Sequence, residues 1–165
     1  MIKYFFLFLF ALNLYSQQKI DVINLKIDFE VPKNSKVSLK KMGNDNILTL
    51  ISLTNTNDFK YLLTIIESDN ERNVSFNDFK EQEYKDFYLE KCNCIIEDER
   101  VRNYNNLKSY QYKTKSRVEE KELYGYVDNF TKNEKVYAFI YLTSYNNFEK
   151  FKEEHKAILM TIKNR

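Results

Sequence analysis

The sequence predicts an α+β protein: one antiparallel sheet of about six or seven strands and two main helices, with the C-terminal helix packed on the sheet. Three observations carry that expectation. Apolar and polar residues alternate along several segments with the period of two that a half-buried strand imposes. Two other segments switch to helical spacing, the second with the clearest amphipathic pattern in the chain. Gly43, Gly125 and Pro32 are the only glycines and proline, so turns fall to Asn, Asp and Lys clusters that tolerate left-handed backbone.

Taken in order, residues 1–16 read as a leader. Lys3 precedes the apolar run Tyr4 to Leu12, and Asn13 to Ser16 ends in a small side chain before Gln17. This is the layout of a secretory signal peptide cut after Ser16, although Leu14 is large for its place three residues before the cut. Its apolar run of about ten residues is too short for a hydrocarbon core that needs roughly 20. No cysteine adjoins the cut to receive a lipid. Residues 17–165 then form a single α+β domain, periplasmic or secreted, with no transmembrane segment after cleavage. The Asn/Lys/Ile-rich composition suits a bacterial source of low GC content.

The first strand is Ile23 to Val31, where Ile23, Leu25, Ile27, Phe29 and Val31 alternate with polar residues until Pro32 ends it. Val37 and Leu39 mark a short second strand. Ile47 to Leu53 and Tyr61 to Ile66, separated by an Asn/Thr turn, predict an antiparallel pair in mid-sheet. Ser75 followed by Asp78 resembles a capping box and opens a first helix, with Phe76, Phe79, Tyr84, Phe87 and Tyr88 on one face to about Glu90. Alternation returns over Leu107 to Thr114, Glu122 to Phe130 and Val136 to Thr143, the last two spaced as a hairpin around Thr131 to Lys135. The final helix follows Asn146-Asn147 and aligns Phe148, Phe151, His155, Ile158 and Leu159. Met160 to Lys163 either extends it or adds a strand.

Charge and glycine usage exclude several functions. Without Lys3 the chain holds 25 basic and 24 acidic residues, a balance with no basic excess for nucleic acid. Glu67 to Arg102 is acidic, with eleven acidic and six basic residues, and reads as a solvated face or a docking surface. With two glycines and no GxGxxG or GxxxxGK[ST] there is no phosphate-cradling loop, and no nucleotide cofactor is expected.

Chemistry-bearing residues are sparse. His155, the sole histidine, falls on the apolar face of the last helix, the place of a hydrogen-bonded core or rim histidine. No Gly-x-Ser-x-Gly turn presents a nucleophile to it, so neither catalytic residues nor an enzyme are expected. Cys92-Asn93-Cys94 is the compact reactive motif: a local disulfide there requires a bend, and the two thiols or a bond to another chain are the alternatives. A zinc site needs four ligands and is not expected. Tyr110, Tyr112, Tyr124, Tyr126, Tyr137 and Tyr141 pave one side of the later strands in this reading, packed under helices or left open as a partner surface with the acidic Glu97, Asp98 and Glu99.

Four pieces of sequence resemble the fold shared by PsbP-like proteins, periplasmic DcrB-type lipoproteins and Mog-type Ran-binding proteins. They are the VPKN turn, Val31 to Asn34; the helix SFNDFKEQEYKDFYLE; the strand KVYAFIYLTS, Lys135 to Ser144; and the closing FEKFKEEHKAILMTIK, Phe148 to Lys163. Ser35 stands where a Trp often follows the turn, and Thr161 replaces a usual Ser. The resemblance implies a binding or assembly accessory and carries no catalytic motif onto this chain. The sequence therefore points to an exported, non-enzymatic protein that binds an envelope protein. The alternatives are an immunity or inhibitor protein acting through the acidic segment, a thiol-disulfide protein using Cys92 and Cys94, and a small-molecule binder with a cleft between sheet and terminal helix.

Overall fold

The computed structural model describes residues 17–20, 25–92, 94–105, 107–118 and 120–164. The expected leader, residues 1–16, lies outside the described residues, as do Ile23 and Asn24 of the first expected strand.

The chain runs through β1 (Gln17–Ile20), β2 (Ile27–Pro32), β3 (Ser35–Met42), β4 (Asp45–Leu53) and β5 (Phe59–Asp69). A 3-10 turn (Asp78–Lys80) and helix α1 (Gln82–Cys92) follow, then β6 (Cys94–Tyr104), β7 (Leu107–Val118), β8 (Lys121–Lys132) and β9 (Lys135–Ser144). Helix α2 (Tyr145–Met160) and β10 (Lys163–Asn164) close it. The main sheet has seven antiparallel strands in the order β3-β4-β5-β9-β8-β7-β6. The early strand does not join it. β2 instead centres a three-stranded sheet between β1 and β10 and buries Ile27, Phe29 and Val31 in the main core, Phe29 meeting Phe139 edge-on at 5.8 Å.

Residues paired across antiparallel strands share a face, so the register assigns the two sides. One side carries Leu48, Leu50, Tyr61, Leu63, Ile65, Phe130, Tyr137, Phe139 and Tyr141, all buried against β2 and against Phe148, Ile158 and Leu159 of α2. Each such side chain contributes about 1.5–3 kcal/mol on burial. The other side is covered over β6 to β8 by the 3-10 turn and α1: Phe79 is buried, and the Tyr112 hydroxyl donates to its carbonyl.

Two elements differ from the sequence expectation for local reasons. The first helix is split at Glu81, whose extended backbone (φ −68°, ψ 143°) separates the 3-10 turn from α1. The capping signal is nonetheless used, because the Asp78 carboxylate accepts the Ser75 N–H at 2.6 Å. The acidic stretch after Cys94 is a strand, β6, at the sheet edge. Its register shifts between Ile96 and Asp98, and that bulge breaks the alternation by which a strand is recognised.

Turns use the residues expected of them. Asn133 and Glu134 both have positive φ (51° and 59°) in the two-residue β8–β9 turn, and Gly43 (φ 60°) opens the β3–β4 turn. Gly125 has a different reason: a Cβ there would collide with the Tyr141 carbonyl oxygen and lie 2.9 Å from Leu142 Cδ2. Gly125→Ala is therefore expected to cost about 2 kcal/mol or more, because backbone must move, whereas Gly43→Ala costs about 1 kcal/mol. Urea denaturation of the two variants checks the difference; equal losses would contradict the close approach of β8 to β9.

Candidate functional site

Helix α2 crosses the middle of the sheet and leaves a cleft of ≈330 Å³ between itself and the β6–β7 flank. Its walls are Val101, Arg102, Asn103 and Tyr104 of β6, Gln111 of β7, Tyr126 of β8, and Lys152, Glu153, His155 and Lys156 of α2. The strand period brings Arg102, Gln111, Tyr126 and Asp128 to the same side, and the helical period turns His155 down onto them.

Beneath the cleft lies a buried polar network. Asp128 is fully buried and accepts hydrogen bonds from the Tyr104 hydroxyl (3.1 Å), the Ser109 hydroxyl, Gln111 Nε2 (2.8 Å) and His155 Nε2 (2.7 Å). Four donors fill the lone pairs of a carboxylate, which is what allows one to be buried. His155 is 1% exposed, its ring stacked on Tyr126 at 5.8 Å. With Nε2–H given to Asp128, its Nδ1 has no hydrogen-bond partner among the described residues. Arg102 Nε donates to Gln111 Oε1 (3.1 Å), so a continuous chain of hydrogen bonds joins the guanidinium at the rim to the buried pair. Burial, reinforced by the Asp128 charge, pushes the Tyr104 phenol far up, so it stays a neutral donor.

The tyrosines singled out by sequence do not share one face. Tyr112 pairs with Val127 and Lys113 with Tyr126, so Tyr110 and Tyr112 lie under the 3-10 turn and α1, while Tyr124, Tyr126, Tyr137 and Tyr141 lie on the α2 side. Tyr124 and Tyr126 pack on Phe148 of α2, at 6.2 and 5.0 Å, and Tyr110 meets Phe76 at 6.1 Å. Glu97, Asp98 and Glu99 are placed on β6, each with a cation: Glu97 on Lys113 (3.0 Å), Asp98 on Arg100, and Glu99 on Lys85 (2.8 Å). The Tyr110 hydroxyl also donates to Glu99, at 2.7 Å. Cys94 is in a disulfide; the Cys92 side chain lies outside the described residues. No helix among the described residues is long and apolar enough to cross a membrane.

His155 was legible as a core histidine; its partner Asp128 was not singled out. The signal was present, because Tyr124, Tyr126, Asp128 and Phe130 occupy one face of β8 and a carboxylate interrupts an otherwise aromatic row.

No family model and no curated relative matches the chain. Among solved structures, cyanobacterial PsbP (CyanoP) from Synechocystis sp. PCC 6803 superposes with a TM-score of 0.71 at 11% identity, covering 94% of this chain and 96% of that one. A Bacteroides thetaiotaomicron protein gives 0.59 at 8% identity over 85% of this chain and 45% of its own. PA94 from Pseudomonas aeruginosa, a protein of unknown function, gives 0.56 at 13% identity over 90% and 97%. The chain has the PsbP-like fold its sequence resembles, and at these identities the likeness speaks to fold alone.

Asp128→Asn is expected to destabilise the protein by about 2–4 kcal/mol in urea titrations, because the amide turns a donor toward His155 or Gln111. A loss below about 0.5 kcal/mol, the range of an ordinary surface change, would show that the network carries no weight. Glu99 has a pH signature. Burial alone would raise its carboxyl, but the hydrogen bonds from Lys85 and Tyr110 outweigh it and hold the group below the usual carboxylate range. A depressed carboxyl stabilises above its ordinary pKa and loses that contribution as pH falls through its folded value. Glu99→Gln should therefore lower the thermal midpoint near neutrality and flatten its fall below about pH 5, so that the two proteins converge in acid.

Proposed function

We propose that this protein is an exported, non-enzymatic binding module of the cell envelope, with its protein partner docking along the β6 edge. The observation that supports binding over catalysis is how the buried polar groups are used. Ser109 gives its hydroxyl to Asp128, not to His155, so the nucleophile-base contact a hydroxyl needs for attack is missing from this arrangement. Asp128 itself is saturated by donors and has no lone pair left for a substrate proton.

The β6 edge favours a partner contact on its own chemistry. Among the described residues it pairs only with β7, leaving outward backbone groups along an 11-residue strand. Ile95 (61% exposed) and Val101 (44%) lie at the two ends of the Glu97, Asp98 and Glu99 stretch, on opposite faces of the strand, so apolar and charged groups adjoin along the edge. Such a mix of exposed apolar and charged groups suits a reversible protein contact. Cys92 and Cys94 stand where α1 gives way to β6, and in this reading the Cys94 disulfide is a structural clip holding that edge.

The test is site-specific crosslinking in cells. A photoreactive side chain installed at Asp98 is expected to give one dominant adduct with an envelope protein, while the same group at Lys36 in β3 gives none. The recovered protein is expected to begin at Gln17. Retention of the uncleaved chain in the cytoplasm, or the same adducts from both positions, would overturn the reading.

A further inference from the structure

The cleft over the Asp128–His155 pair carries chemistry that docking at β6 does not use. Its rim has three cations, Arg102, Lys152 and Lys156, against one carboxylate, Glu153, and the Asp128 carboxylate lies behind the lining, bonded to His155 and Gln111. The cations are unequally committed. Lys152 is paired with Glu149 at 2.7 Å, and Lys156 lies 3.9 Å from Glu153, beyond hydrogen-bond range. Arg102 spends only Nε, on Gln111, and has no ion pair among the described residues. Its two terminal nitrogens are thus oriented by the network and open to a ligand, in the planar fork that suits an oxyanion.

The second observation is the orphaned Nδ1 of His155, buried at the cleft floor. In its neutral form, with Nε2–H donated to Asp128, the imidazole has a lone pair on Nδ1 that calls for a donor. A ligand that satisfies both rim and floor is an anion that also carries a hydrogen-bond donor. Hydrogen phosphate meets both demands, whereas sulfate has the charge and the shape but no proton to give.

We propose that the cleft between α2 and the β6–β7 flank binds a protonated phosphoryl group, free or esterified, with Arg102 and Lys156 holding its oxygens and His155 Nδ1 accepting its O–H. Because His155 is 1% exposed, the ligand reaches it by displacing the flexible Lys152 and Lys156 arms at the mouth. The volume of ≈330 Å³ leaves room for the remainder of a small ester. This site shares Val101 with the β6 edge but needs no partner there for its ligand chemistry, so the phosphate titration tests it separately from the crosslinking.

His155 is the chain's only histidine, so its imidazole nitrogens give a two-signal ¹⁵N spectrum without assignment work. The protein purified in its exported form would be titrated with inorganic phosphate, glycerol 3-phosphate and sulfate. Saturable movement of the Nδ1 signal with either phosphate compound, and not with sulfate, is expected; the tighter of the two identifies the free or esterified source. Arg102→Gln should weaken that binding by about tenfold or more, as loss of a charge-assisted pair implies, while Lys36→Gln leaves it unchanged. An unmoved Nδ1 signal, equal response to sulfate, or full affinity in a folded Arg102→Gln protein would overturn the proposal.

Discussion

The two-residue turn at Asn133 and Glu134 sets the register of β8 on β9, and the placement of nearly every polar group in the core depends on that register. With Lys132 opposite Lys135, Asp128 falls opposite Phe139 and Val127 opposite Ile140. The parity then passes to β7, where Gln111 meets Asp128 and Tyr112 meets Val127. A slip of one residue would carry Asp128 to the α1 side, away from His155, and bring Val127 under α2. Both turn residues need positive φ, which a non-glycine pair adopts only at some cost, so the turn is held by the hairpin as much as it holds it.

Helix α2 is seated by this placement in a way that apolar packing alone would not enforce. Phe148, Ile158 and Leu159 supply the burial, but a greasy stripe on an aromatic sheet tolerates rotation and sliding. Two adjacent polar residues remove that freedom by reaching opposite ways. Glu154 takes Lys60 (2.7 Å) and the Tyr61 hydroxyl (3.0 Å) from β5, while His155 takes Asp128 from β8. Any shift of the helix breaks one pin or the other and leaves a charged group desolvated, a larger penalty than a lost methyl contact.

What could be read from the sequence follows the same division between packing and register. The β4–β5 pair, the β8–β9 hairpin and the face of α2 were legible because each is settled by local period and turn chemistry. β6 was not, since an edge strand rich in charge, with a bulge at Ile96 to Asp98 that shifts its period, has no clean apolar alternation to show. Each strand alone places its tyrosines alike, so the sequence presents them as one surface. Whether Tyr112 and Tyr126 share a side is a property of how two strands pair, and no periodicity within either contains it. Asp128 was missed for a related reason: its burial becomes plausible only once Tyr104, Ser109, Gln111 and His155, from three other elements, converge on it.

Function, on a fold with structural relatives at 8–13% identity, has to be argued from this chain's own side chains. The frame requires a covered sheet and a docked terminal helix; it does not require a carboxylate at position 128 or an arginine at 102. A leucine at 128 with an apolar residue in place of His155 would satisfy the packing and avoid burying charge. The network is therefore better explained by what it positions than by what it stabilises. It holds the Arg102 fork through Gln111, leaves Nδ1 of His155 unsatisfied, and sets both on the flank of the sheet whose outer edge carries Ile95, Asp98 and Val101. Rigid strands beneath and long side chains at the rim are the arrangement a binding surface needs, since the floor keeps its geometry while the mouth opens.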